Sequence, residues 1–326
     1  MEYRKLGNSG LNVSVIGLGT NNFGNPNRIP DPAQSARVVH RCLDVGINFI
    51  DTAASYSQGQ SEVHIGEALK GRRGDAIVAT KYNLAKLDGQ SPRDRVMQEV
   101  EKSLRNLQTD YIDLYQLHTP NPDLSQEEVL EPLNELVEQG KVRVIGASNY
   151  AGWRHAQADA VSAQHGWARF ESAQSYYHLL HRQPELELLP FCTAANAGFL
   201  PYYPLAGGWL TGKYSSGAAV GEKARRMVGE LQGDEAALAT LGKLDAYANE
   251  HGHSMLDLAF SWLLAHPAVS SVIAGAMTEK QVEANAKAGD WTMTMEERDA
   301  IDAIAPWDGT GNEVESFGMG GMPPRR

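Results

Sequence analysis

Cysteine is nearly absent from this 326-residue chain, which has only Cys42 and Cys192. Both fall in segments with helical patterning and neither has a metal-ligand neighbour at useful spacing, so they read as reduced and partly buried. Positive charge is also in short supply: 29 Lys and Arg face 40 Asp and Glu, a net charge of −11. That balance argues against nucleic acid or an anionic membrane as partner, because a phosphate surface calls for a clustered basic face. Long hydrophobic runs are missing as well. No stretch reaches the roughly 18 apolar residues of a membrane helix. The opening MEYRKLGNSG has no apolar signal core, so the expectation is a soluble, cytoplasmic protein. Finally, Gly17-Leu18-Gly19-Thr20 is too short for the Gly-x-Gly-x-x-Gly turn of an open dinucleotide-binding sheet.

What the chain does have is rhythm. Two short strands are expected from Tyr3 to Val13 around a Gly7-Asn8-Ser9-Gly10 turn. Apolar runs then alternate with amphipathic stretches eight times. The runs are Val15–Thr20, Asn48–Ala53, Ala76–Tyr82, Tyr111–His118, Val142–Asn149, Phe170–Tyr176, Phe199–Pro204 and Ser271–Ala276. Asp31-Pro32 and Ser91-Pro92 each pair a helix cap with a first-turn proline, and Gly46 and Gly140 close the helices that precede them. Strands alternating with helices imply parallel pairing through right-handed crossovers. The expected fold class is therefore α/β: a (β/α)8 TIM barrel forming a single domain over residues 1–326. It carries an N-terminal β-hairpin and a long loop after strand seven, from Gly207 to Gly233. An open doubly wound sheet is the alternative. Residues 308–326, rich in Gly, Met and Pro, read as a C-terminal tail that is mobile or covers the barrel mouth.

Active sites of such barrels sit at the carboxyl ends of the strands. Asp51 ends strand two and Tyr56 follows in its loop, Lys81 ends strand three, and His118 ends strand four. Strand neighbours are roughly 4.8 Å apart, so these four groups can meet. Any one of them alone has a plain structural use, as a helix cap, a surface charge or a packed ring. Together they suit carbonyl reduction. The oxygen that gains charge as hydride arrives needs a donor, and a tyrosine with a pKa near 10 becomes a better acid beside a lysine cation. Asp51 can hold Lys81 charged, and His118 can add a second hydrogen bond to the substrate oxygen.

With these residues the chain resembles the aldo-keto reductases, most specifically over Gly46-Ile47-Asn48-Phe49-Ile50-Asp51-Thr52-Ala53-Ala54-Ser55-Tyr56 and Ser61-Glu62. The resemblance runs from Arg4-Lys5-Leu6-Gly7 to Glu283-Ala284-Asn285. It implies that Asp51, Tyr56, Lys81 and His118 form the family's catalytic tetrad, without a metal, and that NADP(H) is the hydride donor, with NAD(H) the alternative. By the same resemblance Ser148, Asn149 and Gln174 bind the nicotinamide carboxamide, and the ring of Tyr202 stacks on the nicotinamide. The Gly207 to Tyr214 loop crosses the pyrophosphate with Lys213 as its cation, and Pro204, Leu205, Gly19 and Thr20 belong to the cofactor site. Gly275, Met277, Gln281 and Asn285 take the adenosine end, with Met277 and Gln281 where NADPH-preferring members often carry an arginine or lysine. Lys280, Arg225 or Arg226 would compensate. Ser57 stands where a glycine commonly follows the tyrosine.

Phe23, Tyr82, Tyr150 and Trp209 lie just after strand ends and are expected to wall an apolar, aromatic pocket. The expected substrate is an aldehyde, ketone or sugar-like carbonyl, or the corresponding alcohol. Two other readings compete: a nicotinamide-sensing protein like certain potassium-channel subunits, and a Schiff-base aldolase using Lys81.

Overall fold

Side-chain caps and first-turn prolines start the helices where the sequence announces them. In the computed structural model, which describes residues 1–215 and 226–309, Asp31 accepts from the amide of Ala33 and Pro32 opens α1 (Pro32–Asp44). Helix α2 spans Gln60–Ala68. Ser91 then caps α3 (Pro92–Leu107), and Ser125 with Glu128 forms a reciprocal capping box on α4 (Gln126–Glu138). Along the chain follow α5 (Gly152–His165), α6 (Leu188–Ala195), α7 (Arg226–Gln232), α8 (Glu235–Glu250), α9 (Met255–Leu264), α10 (Glu279–Ala288) and α11 (Met295–Ile304). No helix among the described residues is long and apolar enough to cross a membrane.

Strands β1 (Tyr3–Lys5) and β2 (Asn12–Ser14) pair antiparallel as the expected hairpin. The other eight are β3 (Ile16–Gly19), β4 (Phe49–Asp51), β5 (Ile77–Tyr82), β6 (Ile112–Leu117), β7 (Val142–Ser148), β8 (Phe170–Tyr176), β9 (Gly198–Tyr202) and β10 (Val272–Gly275). They close in the order β10-β3-β4-β5-β6-β7-β8-β9, all parallel, and so form the (β/α)8 barrel. Closure removes the open doubly wound sheet from consideration.

Two apolar layers hold the barrel. Alternate residues facing its axis, Phe49, Ala79, Leu114, Val144, Leu200 and Ile273, pack with Leu6, Leu11 and Val13 of the hairpin. The residues between them face outward into the larger layer shared with the helices, as Ile50, Val78 and Tyr115 do.

The structure differs from expectation in the second half. The stretch from Gly207 to Gly233 is not simply a loop: a 3-10 segment covers Ala206–Thr211, and α7 lies within it. Helix α11 goes beyond the expected strand–helix rhythm, although Thr294 followed by Glu297 is a capping-box signature that the structure completes. Trp262 Nε1 donates to Asp302 of that helix at 2.8 Å, and Arg182 pairs with the same carboxylate at 2.9 Å. The tail from residue 310 to 326, Arg225 and the side chain of Arg226 lie outside the described residues.

Candidate active site

The same alternation that fills the barrel's interior aims its chemistry. Two residues beyond Phe49, Ala79 and Leu200 on the same strand faces come Asp51, Lys81 and Tyr202; Ser148 and His118 lie four beyond Val144 and Leu114. Strand pairing sets Asp51 opposite Ala79 and Ser148 opposite Gln174. The axis-facing ends therefore converge at one mouth.

At its centre is a buried ion pair. Lys81 Nζ, with no exposure, donates to Asp51 Oδ1 at 2.6 Å, to Oδ2 at 2.8 Å and to the Thr52 carbonyl at 2.8 Å. Gln174 Nε2 reaches from β8 to donate to Asp51 Oδ2 at 2.8 Å. Burial pulls the Lys81 ammonium below the ordinary lysine value, and Asp51 opposes the shift by charge and hydrogen bond. Above the pair, the Tyr56 ring centroid lies 5.3 Å from Lys81 Nζ, and the His118 ring meets Tyr56 edge-on at 5.9 Å. Loss of water, reinforced by the Lys81 cation, pushes His118 down to about 3, so its imidazole is neutral at physiological pH. Its Nδ1 is 3.4 Å from the Ser55 hydroxyl.

The loop carrying Tyr56 is turned sharply. Ser57 takes φ 49° and Gln58 φ 58°, a left-handed conformation that costs a side-chain-bearing residue roughly 1–2 kcal/mol. The Ser57 hydroxyl donates to the Phe23 carbonyl at 2.8 Å, tying this loop to the one after β3. That bond gives a physical reason for serine at the position where glycine would be the unstrained choice.

Asp51, Tyr56 and His118 border a cavity of about 660 Å³, with Lys81 beneath it. Several residues singled out for a nucleotide border it too: Gly19 at the end of β3 with Thr20 after it, Ser148 at the end of β7 with Asn149 after it, Gln174 on β8, and Tyr202 on β9. Pro204, Leu205, Gly207 and Lys213 continue the wall, which Gly275, Met277 and Gln281 complete. Their polar groups are unequally free. Asn149 is spent internally, its Nδ2 donating to the His118 carbonyl at 2.9 Å and its Oδ1 accepting from the Tyr202 hydroxyl at 2.7 Å. Gln281 Oε1 likewise accepts from the Met277 amide. Asn285 does not border the cavity; it is buried behind it, with Nδ2 3.4 Å from the Gly275 carbonyl. Lys280 is exposed and off the wall.

The expected aromatic pocket is corrected outright. Phe23, Tyr82, Tyr150 and Trp209 are all buried and none borders the cavity. Tyr82 follows an axis-facing lysine, so alternation turns it outward to stack on Tyr115 at 4.7 Å. Tyr150 bonds Gln126 and packs edge-on against His155, while Trp209 stacks on Tyr214. Residues not singled out from the sequence stand in their place: Asn83 next after Tyr82, Thr119 next after His118, and Asn21, Asn22 and Arg28 after β3. Alternation is a signal that could have found Asn83. The others lie in irregular turns where no period operates.

Comparison with known proteins agrees with this geometry. The model of the aldo/keto reductase family matches residues 15–306. Aldo-keto reductase YhdN of Bacillus subtilis is 35% identical over 315 residues, covering 93% of each chain. Versiconal hemiacetal acetate reductase of Aspergillus parasiticus is 30% identical over 87% of this chain and 91% of its own length. A probable voltage-gated potassium channel subunit beta of Oryza sativa is 31% identical over 93% and 96%, respectively.

Proposed function

The chain belongs to the aldo/keto reductase family, and from that premise we propose that it moves hydride between a nicotinamide nucleotide and a carbonyl carbon, with Tyr56 as acid and, in reverse, base. The observation that carries this reading is the Lys81 ammonium held on both Asp51 oxygens, 5.3 Å from the Tyr56 ring.

A nucleotide fits the cavity. Lys213 borders it with no ion-pair partner among the described residues, and Gly207 and Gly208 take φ 70° and 114°, leaving bare backbone for a phosphate to approach. The Ser148 hydroxyl and the carbonyl oxygen of Gln174 would hold the carboxamide, the Tyr202 ring the nicotinamide face, and Lys213 the pyrophosphate. Met277 and Gln281 would border the adenosine. NADPH is the proposed donor on the family's usual preference, and NADH is kept as second donor because neither residue supplies the cationic fork that would select a 2′-phosphate. When bound, the nucleotide supplies hydride; the remaining work falls to this chain's side chains.

Tyr56 donates its phenolic proton to the oxygen of the reduced carbonyl. The nearby Lys81 ammonium favours the phenolate left behind, which makes the phenol a stronger acid than it is in water. Asp51 and the Thr52 carbonyl keep that ammonium in one place, and Gln174 keeps Asp51 oriented. Neutral His118, with Nδ1 beside Ser55, can donate from Nε2 to the same substrate oxygen and share its charge. The aldolase reading fails on Lys81 itself, since all three ammonium protons have acceptors and the side chain has no exposure.

The likeness to plant channel subunits keeps a sensor reading alive. One series separates the two: titrate NADPH and NADH by fluorescence, then assay a carbonyl panel with the tighter donor. Tyr56→Phe is expected to cut single-turnover hydride transfer about 100-fold or more while nucleotide affinity is kept. Near-normal turnover in that variant would remove Tyr56 as the acid. Tight nucleotide binding with no carbonyl turned over would favour the sensor.

A further inference from the structure

The mouth of the barrel divides by sector. On the hydride-transfer reading, on which this inference rests, the nucleotide takes the ends of β7 to β10 with Gly19 and Thr20 at its border, and leaves the loop from Asn21 onward and the loops after β4 to β6 to the substrate. In that half the cavity wall around Tyr56 and His118 is made by Asn21, Asn22, Arg28, Ser55, Asn83 and Thr119. Not one is aliphatic. The aliphatic wall residues Pro204, Leu205, Ile273 and Met277 come from β10 and the loops after β9 and β10. Asn83 Oδ1 accepts from the Ala85 amide at 2.7 Å and the Ser55 hydroxyl meets His118 Nδ1. But an apolar substrate pressed against the Asn21 and Asn22 amides, Asn83 Nδ2 and the Thr119 hydroxyl would strip them of water without replacing their hydrogen bonds, which is costly. A chain of substrate hydroxyls, each both donor and acceptor, satisfies them.

Arg28 adds a charge to this wall. It is half-buried in the loop between β3 and α1, and no carboxylate pairs with it among the described residues. In a chain of net charge −11, an arginine that borders a cavity without a carboxylate partner offers an open fork for an anion. The geometry points to a polyhydroxylated carbonyl substrate bearing a phosphate or carboxylate, its carbonyl at Tyr56 and His118 and its anion on Arg28. The short polar residues between those ends read the intervening hydroxyls.

The same loop leans on the cofactor half, since Gln34 of α1 donates to the Met277 carbonyl at 2.9 Å. Nucleotide affinity is therefore the readout that separates a substrate anion from a cofactor phosphate. The experiment compares kcat/KM for glyceraldehyde against glyceraldehyde 3-phosphate, and for glucose against glucuronate, with NADPH. The wild-type protein is expected to prefer the charged member of one pair at least tenfold; which pair responds tells phosphate from carboxylate. Arg28→Met should lower kcat/KM about tenfold more for the charged member than for the uncharged one, mainly through KM, with Arg28→Lys restoring part of the preference. Dissociation constants for NADPH and NADH should stay within twofold. No charged preference in the wild type, equal losses on both members, or weakened nucleotide binding in Arg28→Met would each overturn the proposal. If butyraldehyde and benzaldehyde are reduced well while every hydroxylated compound fails, the substrate class is wrong and hydride transfer stands. If nothing is reduced although nucleotide binds, the hydride-transfer reading falls first.

Discussion

The two halves of the barrel mouth are built from different materials. The ends of β3 to β6 present short polar side chains, whereas β9 and β10 present aromatic and aliphatic surface with glycine turns between, as at Tyr202, Leu205, Gly207 and Gly208. Flat rings and bare backbone suit a large planar ligand with a phosphate tail; scattered amides and hydroxyls suit a small solute recognised point by point. The halves are not independent. Asp51 accepts from Lys81 on one side and from Gln174, 123 residues away in sequence, on the other. The Asn149 side-chain amide, just after β7, likewise donates to the His118 carbonyl. The difference teaches that this barrel fixes Lys81 and His118, the groups beside Tyr56, through bonds that cross between the two surfaces.

The largest expected effect comes from cutting that crossing at its centre. Lys81→Met leaves the Asp51 carboxylate buried with Gln174 and no cation. Removing one partner of a buried pair typically costs about 3–5 kcal/mol of stability. Hydride transfer should also fall about 100-fold or more, because the Tyr56 phenolate loses its counter-charge. Urea melts and single-turnover measurements check both. Hydride transfer within tenfold of wild type would show that the Tyr56 proton does not depend on this cation.

Much of this arrangement is legible in the order of residues alone, for a definite reason. Barrel strands alternate in register with their neighbours, so apolar periodicity puts Asp51, Lys81 and His118 at strand ends, and the fold brings those ends together around Tyr56. Legibility fails where alternation stops. Tyr82, Tyr150 and Trp209 look like wall residues because they are aromatic and follow strand ends. They are drawn instead into the outer layer, where a large ring buries more surface. Arg28 sits in a turn with no period, and nothing local in the sequence distinguishes it from a solvated charge. The bond from Gln174 to Asp51 exists only because the barrel closes, and no local pattern encodes closure.

Acid should weaken both halves, by a mechanism apart from the chemistry. His118 and His155 are each pushed down to about 3, burial being the first cause and a nearby cation, Lys81 or Arg169, the second. Neither ring nitrogen of His155 has a hydrogen-bond partner; the ring stacks on Phe191 at 5.4 Å and meets Phe170 edge-on. In the unfolded chain these histidines take up protons near pH 6.5, while in the folded chain they resist until near pH 3. Their contribution is therefore whole above pH 6.5 and is lost as pH falls toward 3, at up to about 1.4 kcal/mol per pH unit for each. Denaturant melts from pH 7 to pH 4 should show this slope. His155→Phe should flatten it by about one histidine's share, with kcat/KM at neutral pH unaltered, because His155 lies outside the cavity wall. An unchanged slope in that variant would mean that His155 already binds its proton in the folded state.

The smallest effect bears most directly on the division itself. Lys213 and Arg28 both border the cavity without ion-pair partners among the described residues, from loops after β9 and β3. If the mouth is shared as proposed, the two cations serve different ligands. Lys213 is exposed, so solvent screens it and its loss should be modest, weakening nucleotide binding about three- to tenfold. Because the pyrophosphate is common to both nucleotides, Lys213→Met should weaken NADH and NADPH by the same factor and leave the discrimination between charged and uncharged carbonyls intact. Fluorescence titration of the two nucleotides with this variant, beside the same titration of Arg28→Met, measures the separation directly. A loss confined to NADPH would move Lys213 to the 2′-phosphate and reverse the direction in which the nucleotide lies between the two loops. Losses in both variants that track each other would make the two cations one site, and the polar half would then have no anion receptor of its own.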